Sequence, residues 1–244
     1  MTVLSSALSL ARPFWRFVTR PVGTVRCVAT ARPHLVLTYD DGPDPAATPG
    51  VLASLAEFGA TATFFVLVPR ARAHRGLLEE ILAAGHEIGL HGIDHTRLTR
   101  YSAYEVRRRS RDGRRELEDL IGRRVRWFRA PYGALLPPHW AAVRSAGLMP
   151  VGWGPTPSDW RSLPESQLAA DALDGCTAGG IMLAHDGFAG PDDGVNDGPA
   201  PDIDRGKLAS LMLAGLRDRE LEGRSLGDSL AVGGRTRSWA WFHR

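Results

Sequence analysis

Short apolar runs alternate with amphipathic stretches over most of the chain, and this alternation limits the possible folds more than any other feature. The apolar runs are rich in Val, Ile, Leu and aromatic residues, and each is short enough to form one buried strand. A further short strand is expected near residues 225–232. The other predicted strands span residues 34–39, 60–67, 86–90, 125–129, 149–153 and 180–185.

The stretches between these runs have the periodicity of amphipathic helices, and a glycine follows several of them. Strands that alternate with helices are typical of a parallel α/β architecture. No G-x-G-x-x-G follows the first strand, which counts against a dinucleotide-binding sheet. Polar residues instead follow several strands directly, which favours a (β/α) barrel with its active site at that end. The predicted helices span residues 49–58, 75–84, 102–120 (with an interruption at Gly113), 138–146, 164–173 and 206–221.

The composition is that of one ordinary globular domain. The chain has 244 residues, of which 43% are hydrophobic and 23% charged, so it can bury a sizeable core. Cys27 and Cys176 are the only cysteines, too few for a disulfide scaffold or a Cys-rich zinc module. No stretch approaches the roughly 18 apolar residues that a membrane span needs.

The net charge of +3 is too small to indicate a nucleic-acid partner. Residues 107–126 contain nine arginines, but four acidic residues lie among them, as on a solvated helix face. Both chain ends are basic and aromatic, which suits either packing on the domain or peripheral contact with a membrane. Residues 1–33 lack the order of a signal peptide, so we expect a cytoplasmic or peripheral membrane location. The aromatic residues at the ends are Phe14, Trp15, Phe17, Trp239, Trp241 and Phe242.

Two adjacent carboxylates, Asp40 and Asp41, follow the first predicted strand. Neighbouring negative charges disfavour each other, and a metal ion on one of them would leave the other as a base. A plain Asp-Gly-Pro turn with solvated acids is the alternative interpretation. His91 and His95 follow the third strand with the spacing that places two side chains on one helical face. With Asp41 they form a two-histidine, one-carboxylate set, which leaves coordination positions open for water and substrate.

Three further groups of polar residues follow later strands. Taken singly, Arg129 fits a structural salt bridge, Trp160 fits core packing and His185 fits a buried core histidine. Their joint occurrence after successive strands favours one site at the end of a barrel. An acidic loop rich in Gly and Pro, residues 187–205, is expected to be flexible and to lie near that end.

Five short motifs, in order along the chain, resemble those of the polysaccharide deacetylases, carbohydrate esterase family four. The resemblance covers roughly residues 33–230 and implies a distorted, incomplete (β/α) barrel of about seven parallel strands with surrounding helices. It divides the chain into a basic aromatic extension (1–33), a catalytic domain (34–232) and a basic aromatic tail (233–244). The motifs are TYDDGP, HGIDH, RAPYG, SDW and LAHD.

The resemblance also implies a chemical role for the matching residues. Asp41, His91 and His95 would hold one divalent metal ion, usually zinc. Asp40 would be the general base, and His185 the general acid that protonates the departing amine.

The remaining matches would support these groups. Arg129 would orient the base, Asp159 would support the acid, and the backbone N–H of Tyr132 would donate to the oxyanion. The walls of the pocket for the acetyl group would be Pro131, Trp160 and Leu183. Two positions depart from the family pattern: Gly92 stands where Ser or Thr is usual, and Thr156-Pro157 replaces an earlier acidic residue of the fourth motif.

The leading hypothesis is therefore a metal-dependent hydrolase that removes N-acetyl or other N-acyl groups from amino sugars of a polysaccharide or oligosaccharide. One alternative keeps this chemistry on a lipid-linked or small-molecule amino sugar, which the basic aromatic ends would suit at a membrane surface. A second is a non-catalytic carbohydrate-binding protein, although such relatives usually lose a ligand or the base, and here all are present. The sequence indicates neither the oligomeric state nor the sugar.

Overall fold

The structure, a computed structural model, describes residues 23–242. In this range helices follow strands along most of the chain. The strands are β1 (Thr24–Ala29), β2 (His34–Asp40), β3 (Thr63–Leu67), β4 (Glu87–Gly92), β5 (Trp127–Phe128), β6 (Met149–Pro150), β7 (Ile181–His185), β8 (Glu222–Arg224) and β9 (Arg235–Trp239). The helices are α1 (Thr48–Glu57), α2 (Val68–Ala73), α3 (Arg75–Ala83), α4 (Ala103–Ile121), α5 (Pro137–Ser145), α6 (Glu165–Leu173), α7 (Arg205–Arg217) and α8 (Leu226–Ala231).

Seven of these strands form one parallel sheet that curls into an incomplete barrel. The order along the sheet is β6-β5-β4-β3-β2-β7, and β8 pairs with the first half of β2. All seven residues of β2 are buried, as expected for a parallel strand covered on both faces. The arrangement confirms the predicted distorted, incomplete (β/α) barrel of about seven parallel strands.

Successive residues of β2 face opposite sides of the sheet. Leu37 and Tyr39 belong to the large core between the sheet and the helices. Thr38 and Asp40 face the barrel interior, where both accept hydrogen bonds from the buried guanidinium of Arg129. The alternation that builds the core therefore also turns polar side chains into the barrel at the carboxyl end of the strand.

β1 and β9 pair antiparallel, and β1 lies across the gap between the edge strands β6 and β7. On one side Gly152 donates a backbone hydrogen bond to Val25, and on the other Val28 donates one to Gly179, each at 2.8 Å. Val25 and Val28 are buried in a second, smaller core. The division of the chain at residues 33 and 232 stays a prediction; just outside it, β1 bonds to both edges of the barrel and β9 pairs with β1.

Trp241, in the predicted tail, packs edge-on against Trp153 with 4.6 Å between ring centroids. The guanidinium of Arg26 lies 4.3 Å from the centroid of the Trp241 ring. For Trp241 the structure thus shows packing on the domain, and contact of the chain ends with a membrane stays a prediction. The aromatic residues at 14, 15 and 17 lie outside the described residues. Within residues 23–242, no helix has both the length and the apolarity to cross a membrane.

The predicted strand at 225–232 is wrong, because these residues form helix α8 and the strand lies earlier, at β8. The Ser225 side chain accepts a hydrogen bond from the backbone N–H of Asp228 at 3.0 Å. This N-terminal cap favours a helix over the strand that the apolar residues indicated.

The predicted interruption at Gly113 is also wrong, because α4 is continuous from Ala103 to Ile121. Ser102 caps the helix, and its side chain accepts a hydrogen bond from the N–H of Glu105. Gly113 is buried, and a Cβ at this position would lie 2.9 Å from Ile93 Cγ2. The glycine therefore allows α4 to pack closely against the end of β4.

Candidate active site

The two adjacent carboxylates after β2 point to different partners. Asp40 ends the strand, and its Oδ1 accepts a hydrogen bond from Arg129 Nη1 at 2.8 Å. Asp41 has a φ of 74°, in the left-handed region that few non-glycine residues adopt. This backbone turn directs Asp41 towards His91 and His95 rather than towards Arg129.

Arg129 is almost fully buried below Asp40. Besides Asp40 it donates to Thr38 Oγ1 at 2.7 Å and to the backbone oxygen of Gly152 at 3.1 Å. Its guanidinium lies 4.3 Å from the ring centroid of Phe65. A buried arginine fixed at this many points holds the Asp40 carboxylate in one orientation and balances its charge.

Asp41, His91 and His95 converge on one point. Asp41 Oδ1 lies 3.2 Å from His91 Nε2 and 3.3 Å from His95 Nε2, and the three ligand atoms lie within 4.8 Å of one another. All three side chains are buried, and Asp41 Oδ1 has no hydrogen-bond partner. A buried carboxylate oxygen beside two imidazole nitrogens fits a divalent metal ion with N and O ligands.

The surroundings of His91 support this fit. His91 Nδ1 lies 2.9 Å from the backbone oxygen of Arg129, to which it donates as an N–H. That hydrogen bond fixes the tautomer and turns Nε2 towards Asp41, as is usual for metal-binding histidines.

The protonation states of Asp41 and His95 suit metal ligands. Burial alone would lower the pKa of His91, but the charges of Asp40 and Asp41 raise it. Burial alone would raise the pKa of Asp41, but the neighbouring His91 and His95 lower it below its ordinary range. Burial lowers the pKa of His95 to about 4. Asp41 is therefore ionised and His95 neutral near pH 7, and both can donate lone pairs.

The loop after β4 that carries His95 is tightly wound. A Cβ on Gly92 would lie 2.5 Å from the backbone oxygen of Asp94, which is closer than real Cβ contacts. The His95 N–H donates to the backbone oxygen of Asp193 at 2.8 Å, and Asp94 pairs with Arg109. The glycine that departs from the family pattern is therefore what this turn requires.

Tyr132 lies in the turn Pro131–Gly133 with a φ of 57°. Its ring packs on His95 with 4.4 Å between centroids, and the guanidinium of Arg97 lies 4.0 Å from the ring centroid. The Tyr132 hydroxyl donates to Asp197, in the loop after β7. The turn at Tyr132 thus contacts both the loop that carries His95 and the loop after β7.

His185, at the end of β7, and Asp159 form a second polar pair in the cavity. His185 Nδ1 lies 2.6 Å from Asp159 Oδ1, and the His185 N–H donates to Asp159 Oδ2 at 2.9 Å. Burial alone would lower the pKa of His185, but the Asp159 charge and hydrogen bond outweigh it and raise the pKa to about 9. His185 is therefore protonated at neutral pH.

Asp186 supports the loop of the two carboxylates from below. Its Oδ2 accepts a hydrogen bond from Thr48 Oγ1 at 2.7 Å, and its N–H donates to the Asp40 backbone oxygen at 3.2 Å. A Cβ on Gly42 would fall 2.1 Å from Asp186 Oδ2, so the glycine allows this approach. Burial raises the pKa of Asp186 to about 7.

One cavity of about 550 Å³ at the carboxyl ends of the strands brings the predicted site residues together. All of them line it except Arg129, which lies beneath Asp40, and Pro131, which is buried at the start of its turn. Leu183 is buried in the wall, whereas Trp160 is 49% exposed at the rim. Several further residues that the sequence did not single out also line the cavity: Arg97, Trp153, Phe188, Asp197, Pro199 and Arg205.

The acidic loop expected to be flexible is held at this rim. Arg70 Nη2 donates to Asp193 Oδ2 at 2.7 Å and to the backbone oxygen of Phe188 at 2.8 Å, and Arg70 Nε donates to Asp193 Oδ1. The loop also contributes Asp197 to the cavity wall. The composition of residues 187–205 predicted that the loop lies near this end of the barrel, but not that the half-buried Arg70 anchors it.

Arg205 contacts two of the predicted residues, Asp159 and His185. Its Nη1 donates to Asp159 Oδ2 at 2.8 Å and to the backbone oxygen of His185 at 3.0 Å. In a chain with 30 lysine and arginine residues, one arginine at a helix start carried no distinguishing signal.

Comparison with known proteins shows which family this chain belongs to. Residues 28–151 match the family model described as polysaccharide deacetylase. A chitooligosaccharide deacetylase of Sinorhizobium fredii is 35% identical over 205 residues, which cover 83% of this chain and 94% of that protein. One from Azorhizobium caulinodans is 35% identical over 167 residues, covering 68% of this chain and 80% of the relative.

A solved structure shows the same likeness in three dimensions. The peptidoglycan deacetylase PdaC from Bacillus subtilis superimposes with a TM-score of 0.68 at 27% identity, covering 83% of this chain and 92% of that chain. Together with the family match and the two relatives, this shows that the chain belongs to the polysaccharide deacetylase family.

Proposed function

We propose that this hydrolase removes N-acetyl groups from N-acetylglucosamine units of an oligosaccharide, releasing acetate and a free amine. The observation that carries the proposal is the meeting of three groups in one cavity: the metal-ligand set, the Asp40–Arg129 pair and the His185–Asp159 pair. The relatives that this chain matches over most of their length are named chitooligosaccharide deacetylases, which supports an oligomeric amino-sugar substrate.

Asp41, His91 and His95 would hold one divalent metal ion, and we propose zinc because the set combines two imidazoles with one carboxylate. Such an ion, when bound, polarises the amide carbonyl and lowers the pKa of water. The chain itself supplies the remaining steps.

Asp40 takes the proton from the water that attacks the carbonyl carbon, and Arg129 keeps its carboxylate oriented for this transfer. The carbonyl oxygen becomes an oxyanion as the C–O bond forms, and the Tyr132 backbone N–H donates to it. Leu183 and Trp160 border the space for the acetyl methyl group.

His185 then donates its proton to the amine nitrogen as the C–N bond breaks. Nδ1 is engaged with Asp159, which leaves Nε2 as the ring nitrogen for this transfer. A pKa of about 9 means that the imidazolium is the main form at neutral pH, as a general acid requires. The acetyl group leaves as acetate, and the sugar keeps a free amine.

Acetate release tests this function most directly. Zinc-loaded protein is assayed with N-acetylglucosamine oligomers, peptidoglycan fragments and a lipid-linked N-acetylated sugar, each with and without a chelator. We expect turnover of the oligomers that chelation abolishes and zinc restores. Turnover of the lipid-linked sugar alone would replace the proposed substrate, and full activity in the chelator would refute the metal role. His95→Ala serves as a variant that lacks one ligand and should match the chelated protein.

A further inference from the structure

Arg205 lies buried beside the two residues assigned to proton delivery. It is the first residue of α7 and only 8% exposed. A buried guanidinium is costly unless it is paired with a carboxylate and hydrogen-bonded. Here one nitrogen, Nη1, donates both to Asp159 Oδ2 and to the backbone oxygen of His185.

These bonds hold His185 from three directions. Asp159 accepts from the ring Nδ1 and from the main-chain N–H of His185, and Arg205 donates to the main-chain oxygen of the same residue. Arg205 also donates to the Asp159 oxygen that holds the His185 N–H. Rotation of the Asp159 carboxylate would therefore break contacts with both neighbours.

We propose that Arg205 is a positioning residue for the proton transfer, which clamps Asp159 and the His185 main chain so that the imidazole faces the departing amine. The inference rests on the proposed function, because it assigns Arg205 to the acid half of that reaction. Arg205 itself transfers no proton, and its effect passes through Asp159 and His185.

Because Arg205 carries a positive charge, its positioning role can be measured through the pKa of His185. Removing this cation leaves the Asp159 charge free to stabilise the imidazolium, which raises the pKa of His185. The charges that raise the pKa of His185 are those of Asp159, Asp41 and Asp40, and His95 faces the same cavity. Arg205 pairs with Asp159 and also acts on Asp186. Glutamine removes this charge and can still donate a hydrogen bond to Asp159, so we expect the pKa of His185 to rise.

Substrates with different leaving groups distinguish this positioning role from a general effect on folding. An amide nitrogen must be protonated as it leaves, whereas 4-nitrophenolate leaves 4-nitrophenyl acetate without a proton. We expect Arg205→Gln to lower kcat for an N-acetylglucosamine oligomer about 10-fold to 100-fold, less than the 10²–10⁴-fold usual for a general acid. KM and the hydrolysis of 4-nitrophenyl acetate should change by less than about 3-fold, because binding and attack remain.

Arg205→Lys and Arg70→Gln are the matched variants. Lysine keeps the positive charge but lacks the planar guanidinium with its several N–H donors. Arg205→Lys should therefore restore the wild-type pH profile and part of kcat. Arg70 pairs with Asp193 at the same rim but contacts neither His185 nor Asp159. Its loss should affect both substrates alike and leave the basic limb of the pH profile in place.

The deciding measurements are the pH profile of kcat/KM and the NMR titration of the His185 ring in zinc-loaded protein. Both should move to higher pH in Arg205→Gln and return in Arg205→Lys. Equal losses on both substrates with an unmoved titration would overturn the inference and leave Arg205 a structural residue. If the wild type deacetylates nothing while the NMR titration still moves, the proposed function fails and the clamp stands.

Discussion

Asp40 and His185 lie directly opposite each other on the paired strands β2 and β7. Each has its own partner, since Asp40 accepts from Arg129 while His185 binds Asp159. Because parallel strands end at the same side of the sheet, the register places both groups at one mouth of the barrel. The proposed base and the proposed acid therefore lie in one cavity while each keeps a partner of its own.

Replacing Asp159 by Asn should shift the pH profile to lower pH. Asp159 is the main reason that the pKa of His185 is raised to about 9, and without its charge the pKa should fall towards the ordinary 6.5 or below. The acid is active only when protonated, so kcat/KM should decline above about pH 7 instead of about pH 9. Initial rates between pH 5.5 and 10 measure this, and a basic limb that stays near pH 9 would contradict His185 as the acid.

The sequence predicted the candidate metal-ligand set because two of its members lie four residues apart. The two histidines are not on a helical turn as expected: His91 lies near the end of β4, and the tight turn after it brings His95 to the same point as Asp41, which follows the central strand. The strand order could also be expected, since alternating strands and helices leave few arrangements for a parallel sheet.

The contacts that the sequence could not predict all join distant parts of the chain. Arg205 meets Asp159 across 46 positions, and Tyr132 meets Asp197 across 65. β1, which spans the gap in the barrel, pairs with β9 near the opposite end of the chain. Contacts between such distant residues leave no periodicity or short-range spacing in the sequence, so only the folded structure shows them.

Zinc should stabilise the wild type against heat and lose this effect in His95→Ala. A ligand that binds only the folded state raises its stability, by about 2.7 kcal/mol at 100 times Kd. Differential scanning fluorimetry of chelated protein, titrated with zinc, measures the rise in Tm. His74→Ala is the control, because His74 lies between α2 and α3 and belongs to no ligand set. An equal rise in Tm for His95→Ala would place the zinc elsewhere.

Gly92→Ser should weaken zinc binding even though serine is usual at this position in the family. The new Cβ would lie 2.5 Å from the Asp94 backbone oxygen, so the loop that carries His95 must shift. We expect a loss of about 1–3 kcal/mol in the free energy of unfolding, as for other overpacked sites, and a higher Kd for zinc. Gly76→Ser is the control, because a Cβ there meets no atom within 4 Å. Chemical denaturation and zinc titration of both variants test this; unchanged zinc affinity in Gly92→Ser would refute it.

Asp186→Asn should stabilise the metal-free protein more at pH 8 than at pH 5. Burial raises the pKa of Asp186 to about 7, so the folded state keeps this proton where the unfolded state, with a pKa near 3.9, has lost it. The folded state then binds more protons between about pH 4 and pH 7, and the wild type loses stability as pH rises through that window. Asparagine has no proton to lose. The free energy of unfolding of Asp186→Asn should therefore exceed that of the wild type by an amount that grows with pH, about 1.4 kcal/mol for each unit by which folding raises the Asp186 pKa. Guanidinium unfolding in a chelator at both pH values measures the difference, and an advantage that does not change with pH would show that Asp186 is ionised throughout.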